Sequence, residues 1–269
     1  MNLSVAIPDS CLKDESTKLD KSQKVSFIAR TCAIFGVKTI YVYTESEGHQ
    51  SDRYLLSTIL RYLETPQYLR KGLFPKIDDL RYAGMMHPLQ IPHHSLSSNP
   101  KDLKEGDIRE AAVVYYKGKK FVDIGIHQMI PYFGKEYDKK RVTVQIKTLY
   151  PLTVKEVSEY QIKQYWGYKV KERPSLVKLL EEWEGNIILT SRKGKQATMD
   201  QISEYTHSEK PILLVFGAPD RGLYEILGTK IGIKNSKTFN FFPNQSTETV
   251  RLEESMLGIM SILNFANSN

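Results

Sequence analysis

Three segments in the last part of the chain end an apolar run in a loop of small and polar residues, an arrangement that lets backbone close on a ligand. The first is Ile187-Ile188-Leu189-Thr190-Ser191, followed by the basic loop Arg192-Lys193-Gly194-Lys195. The second is Leu213-Leu214-Val215-Phe216, which runs into Gly217-Ala218-Pro219-Asp220-Arg221-Gly222. The third is Asn240-Phe241-Phe242-Pro243-Asn244-Gln245, a polar loop opening onto a helix that carries Arg251 and Glu253. Ligands in open α/β sheets bind outside the carboxyl ends of strands, and a glycine there lets the backbone approach them. Exposed amides at a helix N-terminus take anionic or polar groups. The glycine loop is neither a P-loop, since GK[ST] is missing, nor a GxGxxG fingerprint. Each segment alone also fits an ordinary turn or a solvated charged face; together they fit one pocket.

Such loops converge only if one sheet carries them. The first 65 residues read as β-α-β-α: a strand at Leu3 to Ile7, and a helix entered at Asp20, where Asp20 and Gln23 have capping-box spacing. Val25, Ile28, Ala29, Cys32 and Ala33 recur at helical intervals until Gly36. A strand follows at Thr39 to Tyr43, then a helix with Leu55, Leu56, Ile59, Leu60 and Leu63 that Pro66 ends. From Gly72 the texture changes to short alternating runs at Leu80 to Leu89, Arg109 to Tyr116, Lys120 to Ile126 and Arg141 to Lys147. These predict a small β-barrel of the OB kind. The α/β rhythm resumes with predicted helices near Val154 to Lys163, Ser175 to Trp183, Met199 to Tyr205 and Thr249 to Asn264. Between them lie strands at Asn186 to Thr190, Ile212 to Phe216 and Thr238 to Phe241. The expectation is one α/β domain with a parallel sheet, made from residues 1–71 and 149–269 and interrupted by an all-β insert at 72–148.

Charge points to the class of partner. The formal net charge is +7, and residues 72–150 hold 13 basic against 9 acidic residues, so the excess gathers in the insert. A polyanion profits from such a surface through counterion release, although a merely solvated basic face has the same composition. The polar loop from Ser95 to Lys104 is the one low-complexity tract. No apolar run approaches the roughly 18 residues of a membrane span, and the chain opens on a strand instead of a signal peptide, so the expected location is cytoplasmic. Cys11 and Cys32 form no CxxC pair and read as reduced structural thiols. The histidines, His49 among them, fall in no Cys/His spacing for zinc, and no metal is expected.

Four stretches together resemble a known family. Ser4-Val5-Ala6-Ile7-Pro8-Asp9-Ser10, Arg30-Thr31-Cys32-Ala33-Ile34-Phe35, the Phe216 to Gly222 loop, and Phe242-Pro243-Asn244-Gln245 through Glu254 are similar, in order and spacing, to the SPOUT (α/β-knot) methyltransferases. The likeness is to the archaeal and eukaryotic branch with an OB-like insert, and it covers nearly the whole chain. It implies a trefoil knot whose loops hold S-adenosylmethionine in a bent form, with Thr190, Ser191, Phe216, Gly217, Gly222, Phe242, Asn244 and Gln245 lining the pocket. It implies a homodimer with the terminal helix in the interface, and methylation of a uridine at N3 in ribosomal RNA. Because that imide nitrogen is a poor nucleophile while protonated, a cation or a base belongs beside it. Arg30 is the first candidate for the cation, Arg251 the second, and Glu253 a proton acceptor. The insert would grip RNA through Lys117, Lys119 and Lys120 with neighbouring aromatics such as Tyr115, Tyr116 and Phe133. The rival reading is a noncatalytic RNA-binding or ribosome-assembly factor on the same fold.

Overall fold

The computed structural model describes residues 1–45, 50–94, 97–134, 140–228 and 233–268. His49, and Ser95 and Leu96 at the head of the polar loop, lie outside the described residues. In chain order the elements are β1 (Leu3–Pro8), α1 (Lys18–Ile34), β2 (Thr39–Tyr43), α2 (Gln50–Glu64), α3 (Gln67–Leu73), β3 (Ile108–Tyr116), β4 (Lys119–Asp123), β5 (Met129–Pro131), β6 (Arg141–Leu149) and β7 (Leu152–Glu156). They continue with β8 (Lys169–Arg173), α4 (Leu176–Glu181), β9 (Asn186–Gln196), α5 (Met199–Thr206), β10 (Ile212–Val215), α6 (Leu223–Leu227), β11 (Ser236–Asn240) and α7 (Leu252–Ser268). Two units result, residues 1–61, 79–88 and 168–269, and residues 62–78 and 89–167. The second is wider than the span read from turn density. Residues 79–88 belong to the first unit, where Asp79 meets Lys18 at 2.8 Å and the His87 N–H donates to Ser26 Oγ at 2.8 Å.

The first unit is built on a six-stranded sheet in the order β11-β9-β10-β1-β2-β8, with every neighbouring pair parallel. β1 and β10 are buried along their whole length, as continuous apolar runs covered on both faces must be. The chain steps outward from β1 to β2 to β8, crosses to β9 on the far side of β1, returns to β10, and ends at the β11 edge. That reversal falls between β1 and β10, where the connections leave in opposite directions, the kind of place beside which open α/β sheets bind ligands. α1 begins earlier than its Asp20 and Gln23 spacing predicts, because Thr17 caps it: the Thr17 Oγ1 accepts the Asp20 N–H at 3.1 Å. Gly36, at φ +64°, ends the turn after α1 in a conformation that favours glycine.

The second unit holds a five-stranded antiparallel sheet, β5-β4-β3-β6-β7, curled over Ala111, Val122, Ile124, Ile130, Val142, Val144 and Ile146. Its edges approach one another, and the Tyr132 hydroxyl just after β5 donates to Glu156 at the end of β7 at 2.6 Å. Two predicted elements are corrected here. Leu80 to Leu89 is not a strand: one 3₁₀ turn, Asp78–Leu80, ends at its first residue and a second, Ala83–Met85, lies within it. Residues from Val154 on are not a helix: β7 pairs with β6, and Leu152 and Val154 pack on the sheet core, so tertiary pairing overrides local spacing. β8, Lys-Val-Lys-Glu-Arg, escaped notice because an edge strand rich in charge carries little apolar signal.

A buried ion network lies beside this core. The Arg141 guanidinium donates to Glu64 at 2.6 Å and to Glu110 at 2.5 Å, and Thr143 and Trp166 donate to the second Glu110 oxygen at 2.6 and 2.7 Å. Burial acts to raise the Glu64 carboxyl, yet its His93 and Arg141 partners outweigh it and hold the group below its ordinary value.

Candidate functional site

The three loops singled out by residue type meet at the carboxyl ends of β9, β10 and β11. Thr190 Oγ1 donates to the Val215 carbonyl at 2.8 Å, tying the first loop to the second. The buried Tyr43 hydroxyl, at the end of β2, donates to the Phe216 carbonyl at 2.7 Å. The second loop then doubles back, with the Ala218 N–H donating to the Arg221 carbonyl at 2.9 Å. Asn240 Nδ2 donates to the Arg192 carbonyl at 3.1 Å, and Arg192 donates to the Glu248 carbonyl at 2.8 Å, so the third loop is laced to the first. Gln245 Nε2 closes that loop on itself through the carbonyls of Thr247 and Glu248, at 3.0 and 3.2 Å. β9 also departs from β11 here: Leu189 pairs with Thr238, but the next pair is Lys195 with Phe239. Gly194 sits in the released stretch, and a Cβ there would lie 2.8 Å from the Phe239 backbone, so a larger residue would push β11 away.

These loops enclose a cavity of about 540 Å³. Of the residues expected from the sequence, Thr190, Ser191, Phe216, Gly217, Gly222, Phe242, Gln245 and Arg251 line it. Asn244 does not, and neither do Glu253 and Arg30. Glu253 faces the nearly buried Lys24 ammonium at 3.2 Å, which Asp14 also meets at 2.6 Å. Burial alone would lower the Lys24 pKa, but Asp14 and Glu253 outweigh it and raise it, so the lysine stays charged and holds Glu253 as a counter-ion. Arg30 projects from α1 and donates to the Pro88 carbonyl at 3.0 Å. Arg251 pairs with Glu15 at 3.2 Å while keeping half its surface exposed.

Spacing missed other parts of the lining. Leu252 and Ile259 are buried apolar residues of α7, yet both also face the cavity. Asp220, in the glycine loop, pairs with Lys13 at 2.6 Å, and this pairing holds its carboxyl below the usual carboxylate range. Nothing in local spacing links residues 207 positions apart.

In the second unit, Lys117 occupies the β3–β4 turn with φ +48°, its ammonium 5.3 Å from the Tyr116 ring centre. Lys119 pairs across from Tyr116 and Lys120 from Tyr115, and the Lys120 ammonium donates to the Gly134 carbonyl at 3.1 Å. The β4–β5 register brings Phe133, 92% exposed, to the same end of the sheet. Among the described residues no group of His, Cys, Asp and Glu side chains is placed to hold a metal ion. Cys11 and Cys32 are both buried, and burial pushes their thiols up, away from the reactive thiolate.

A strand-end cavity and a basic, aromatic hairpin are what the comparisons with known proteins must account for. A family model described as "Putative RNA methyltransferase" matches residues 2–263. An uncharacterized protein of Halobacterium salinarum is 28% identical, covering 98% of this chain and 99% of its own. The 28S rRNA (uridine-N(3))-methyltransferase of Mus musculus is 30% identical, over 95% of this chain and 74% of the relative. Its Homo sapiens counterpart, with the same name, is 29% identical over 95% of this chain and 76% of the relative. Matched along nearly its whole length, the chain belongs to this family of RNA methyltransferases.

Proposed function

We propose that this protein transfers the methyl group of S-adenosylmethionine to N3 of a uridine in ribosomal RNA. The observation that carries the reading is the cavity of about 540 Å³ between three strand-end loops, within the range of roughly 300 to 1,000 Å³ typical of small-molecule sites. The loops suit an adenosine-bearing donor. Phe216, Phe242 and Leu252 offer apolar walls, Thr190, Ser191 and Gln245 offer polar groups, and Gly217 keeps backbone close to the space. A Cβ on Gly217 would stand 3.1 Å from the Arg221 carbonyl, tighter than side chains normally pack. When bound, the donor supplies an activated methyl carbon, so the protein has chiefly to align a nucleophile and manage one proton.

The strand path, crossing from β8 to β9 and again from β10 to β11, is consistent with the trefoil knot that the resemblance implies, and the curled sheet with an OB-like barrel. For the substrate, the Lys117, Lys119 and Lys120 hairpin beside Tyr115, Tyr116 and Phe133 combines cations with exposed rings on which bases stack. A homodimer through α7 and the adjoining face of α1 fits the exposed apolar residues there: Phe27 and Ile34 on α1, Leu257 and Phe265 on α7. Arg30 shares the Phe27 and Ile34 face, so such a dimer would carry it toward the other copy and leave it the first candidate for the cation. Arg251, in the cavity wall, is the second. Glu253 is the weakest candidate for a base, because its charge is matched to Lys24. No described helix is long and apolar enough to cross a membrane, and we place the work in the cytoplasm.

The test is twofold. Isothermal titration should find micromolar S-adenosylmethionine binding to the purified chain, and mass spectrometry should find one N3-methyluridine missing from the ribosomal RNA of cells lacking the protein. RNA binding with no donor binding would make it an assembly factor instead.

A further inference from the structure

A second hollow, of about 300 Å³, lies at the carboxyl ends of β2 and β8 and shares Arg221 with the donor cavity. Thr44, Glu45, Ser175 and Arg221 supply its polar groups, the Thr44 hydroxyl already accepting from Arg53, and Leu176, Val177 and Ile226 its apolar walls. Glu45 is held with care. Its N–H donates to Asp9 at 3.0 Å, and one carboxylate oxygen accepts the Ser10 hydroxyl. The other oxygen, Oε1, is out of water and accepts no hydrogen bond from the described residues. Arg221 stands 3.1 Å from it as an ion pair without hydrogen-bond alignment. A buried carboxylate oxygen with spare acceptor capacity is costly, and such groups are kept where something else completes them.

The hollow presents a cation, a carboxylate and a hydroxyl. The Watson–Crick edge of uracil is complementary to that set, with two carbonyl acceptors flanking one N3–H donor. Cytosine presents a lone pair at N3 and would face the carboxylate with like polarity. Resting on the methyltransferase reading above, we propose that this hollow receives the target uracil, that Glu45 removes its N3 proton, and that Arg221 stabilises the charge left on the ring. The N3–H bond breaks and the proton passes to Glu45 Oε1, leaving the electron pair on N3, spread over the neighbouring carbonyls. That pair forms the N–C bond to the methyl carbon while the carbon–sulfur bond breaks, both of its electrons staying with sulfur. Glu45 then returns the proton to water. Arg221 lines both hollows, so one side chain is common to the proposed base site and the donor cavity.

Among the described residues, the charged and titratable groups around Glu45 are Arg221 from the loop after β10, Asp9 just after the apolar run of β1, Tyr43 from β2 and, through Asp9, Arg53 from α2. The experiment compares the full-length wild type with Glu45→Gln on large-subunit ribosomal RNA transcripts made with uridine or with the more acidic 5-fluorouridine. Calorimetric S-adenosylmethionine binding and thermal melting are followed in parallel. The variant is expected to bind the donor and melt as the wild type does, and to methylate uridine RNA at least about 100-fold more slowly, the usual contribution of a general base. Its rate should climb steadily with pH where the wild type has levelled off, and 5-fluorouridine should restore the variant far more than the wild type. Glu45→Asp, which keeps the carboxylate, should recover part of the rate with a wild-type pH profile, and it carries the test if the Gln variant does not fold. A Gln variant at half the wild-type rate or better, a deficit matched by lost donor affinity, or no selective rescue by 5-fluorouridine overturns the assignment of Glu45 and leaves the enzyme reading standing. A wild type that neither binds donor nor methylates RNA overturns both.

Discussion

Arg30 tests the division of labour between donor binding and chemistry. It donates to a carbonyl on an exposed helix face and stands outside the donor cavity, so Arg30→Ala should leave donor affinity within about twofold. If Arg30, instead of or together with Arg221, stabilises uridinate, the single-turnover methylation rate should fall by about 100- to 1,000-fold, as when one electrostatic donor to developing charge is removed. Unchanged turnover would take Arg30 out of the mechanism. Gly217 makes the opposite split. In Gly217→Ala the new methyl must displace the Arg221 carbonyl, now 3.1 Å from its position, by a few tenths of an ångström. Donor affinity should drop about tenfold in calorimetry, with a stability loss of about 1 to 3 kcal/mol from overpacking. Wild-type affinity in that variant would place the donor elsewhere.

At the scale of elements, α7 shapes the cavity through a glycine. A Cβ on Gly258 would lie 2.7 Å from the Phe242 ring, so helix and third loop approach more closely there than any other residue allows. Gly258→Ala favours the helix by about 1 kcal/mol in propensity but drives the ring toward the donor. Weakened donor binding is expected, and Phe242→Leu in the same chain should recover the melting temperature by yielding the space. If Gly258→Ala melts higher and binds donor normally, the loop is softer than this packing implies. In the second unit, Arg141 holds two carboxylates away from water. Arg141→Ala leaves Glu110 without its cation and Glu64 with His93 alone, and should cost about 3 to 5 kcal/mol in urea unfolding of that unit, as breaking a buried ion pair does. A change below about 1 kcal/mol would mean that water reaches the carboxylates.

For the molecule as a whole, acid should act through the second unit. Burial pushes His94 down to about 4, so between its ordinary 6.5 and that value the unfolded chain binds a proton that the folded chain refuses. Stability therefore falls as pH drops through that window. Glu64, held below its ordinary 4.5, contributes stability at neutral pH that is lost at still lower pH, as the folded carboxyl is protonated. Denaturant unfolding at pH 7.5, 5.5, 4 and 3 should show a two-part decline, with the part above pH 4 missing in His94→Gln. A flat profile down to pH 5 would contradict the buried neutral imidazole.

The α/β rhythm, the glycine loop after Phe216 and the basic β insert were legible because each is written in neighbouring residues: apolar period, turn chemistry and local charge. Leu80 to Leu89 and Val154 to Lys163 were misread for the same reason, since a ten-residue window cannot see whether a strand partner exists. Long-range pairing decided the rest. It placed Asp220 against Lys13, turned Glu253 into the counter-ion of Lys24, and brought Glu45 from the end of β2 to Arg221. Local physics selects elements and loops from a few adjacent side chains. Which loops share a cavity depends on strand order, and strand order is set by burying all the elements at once.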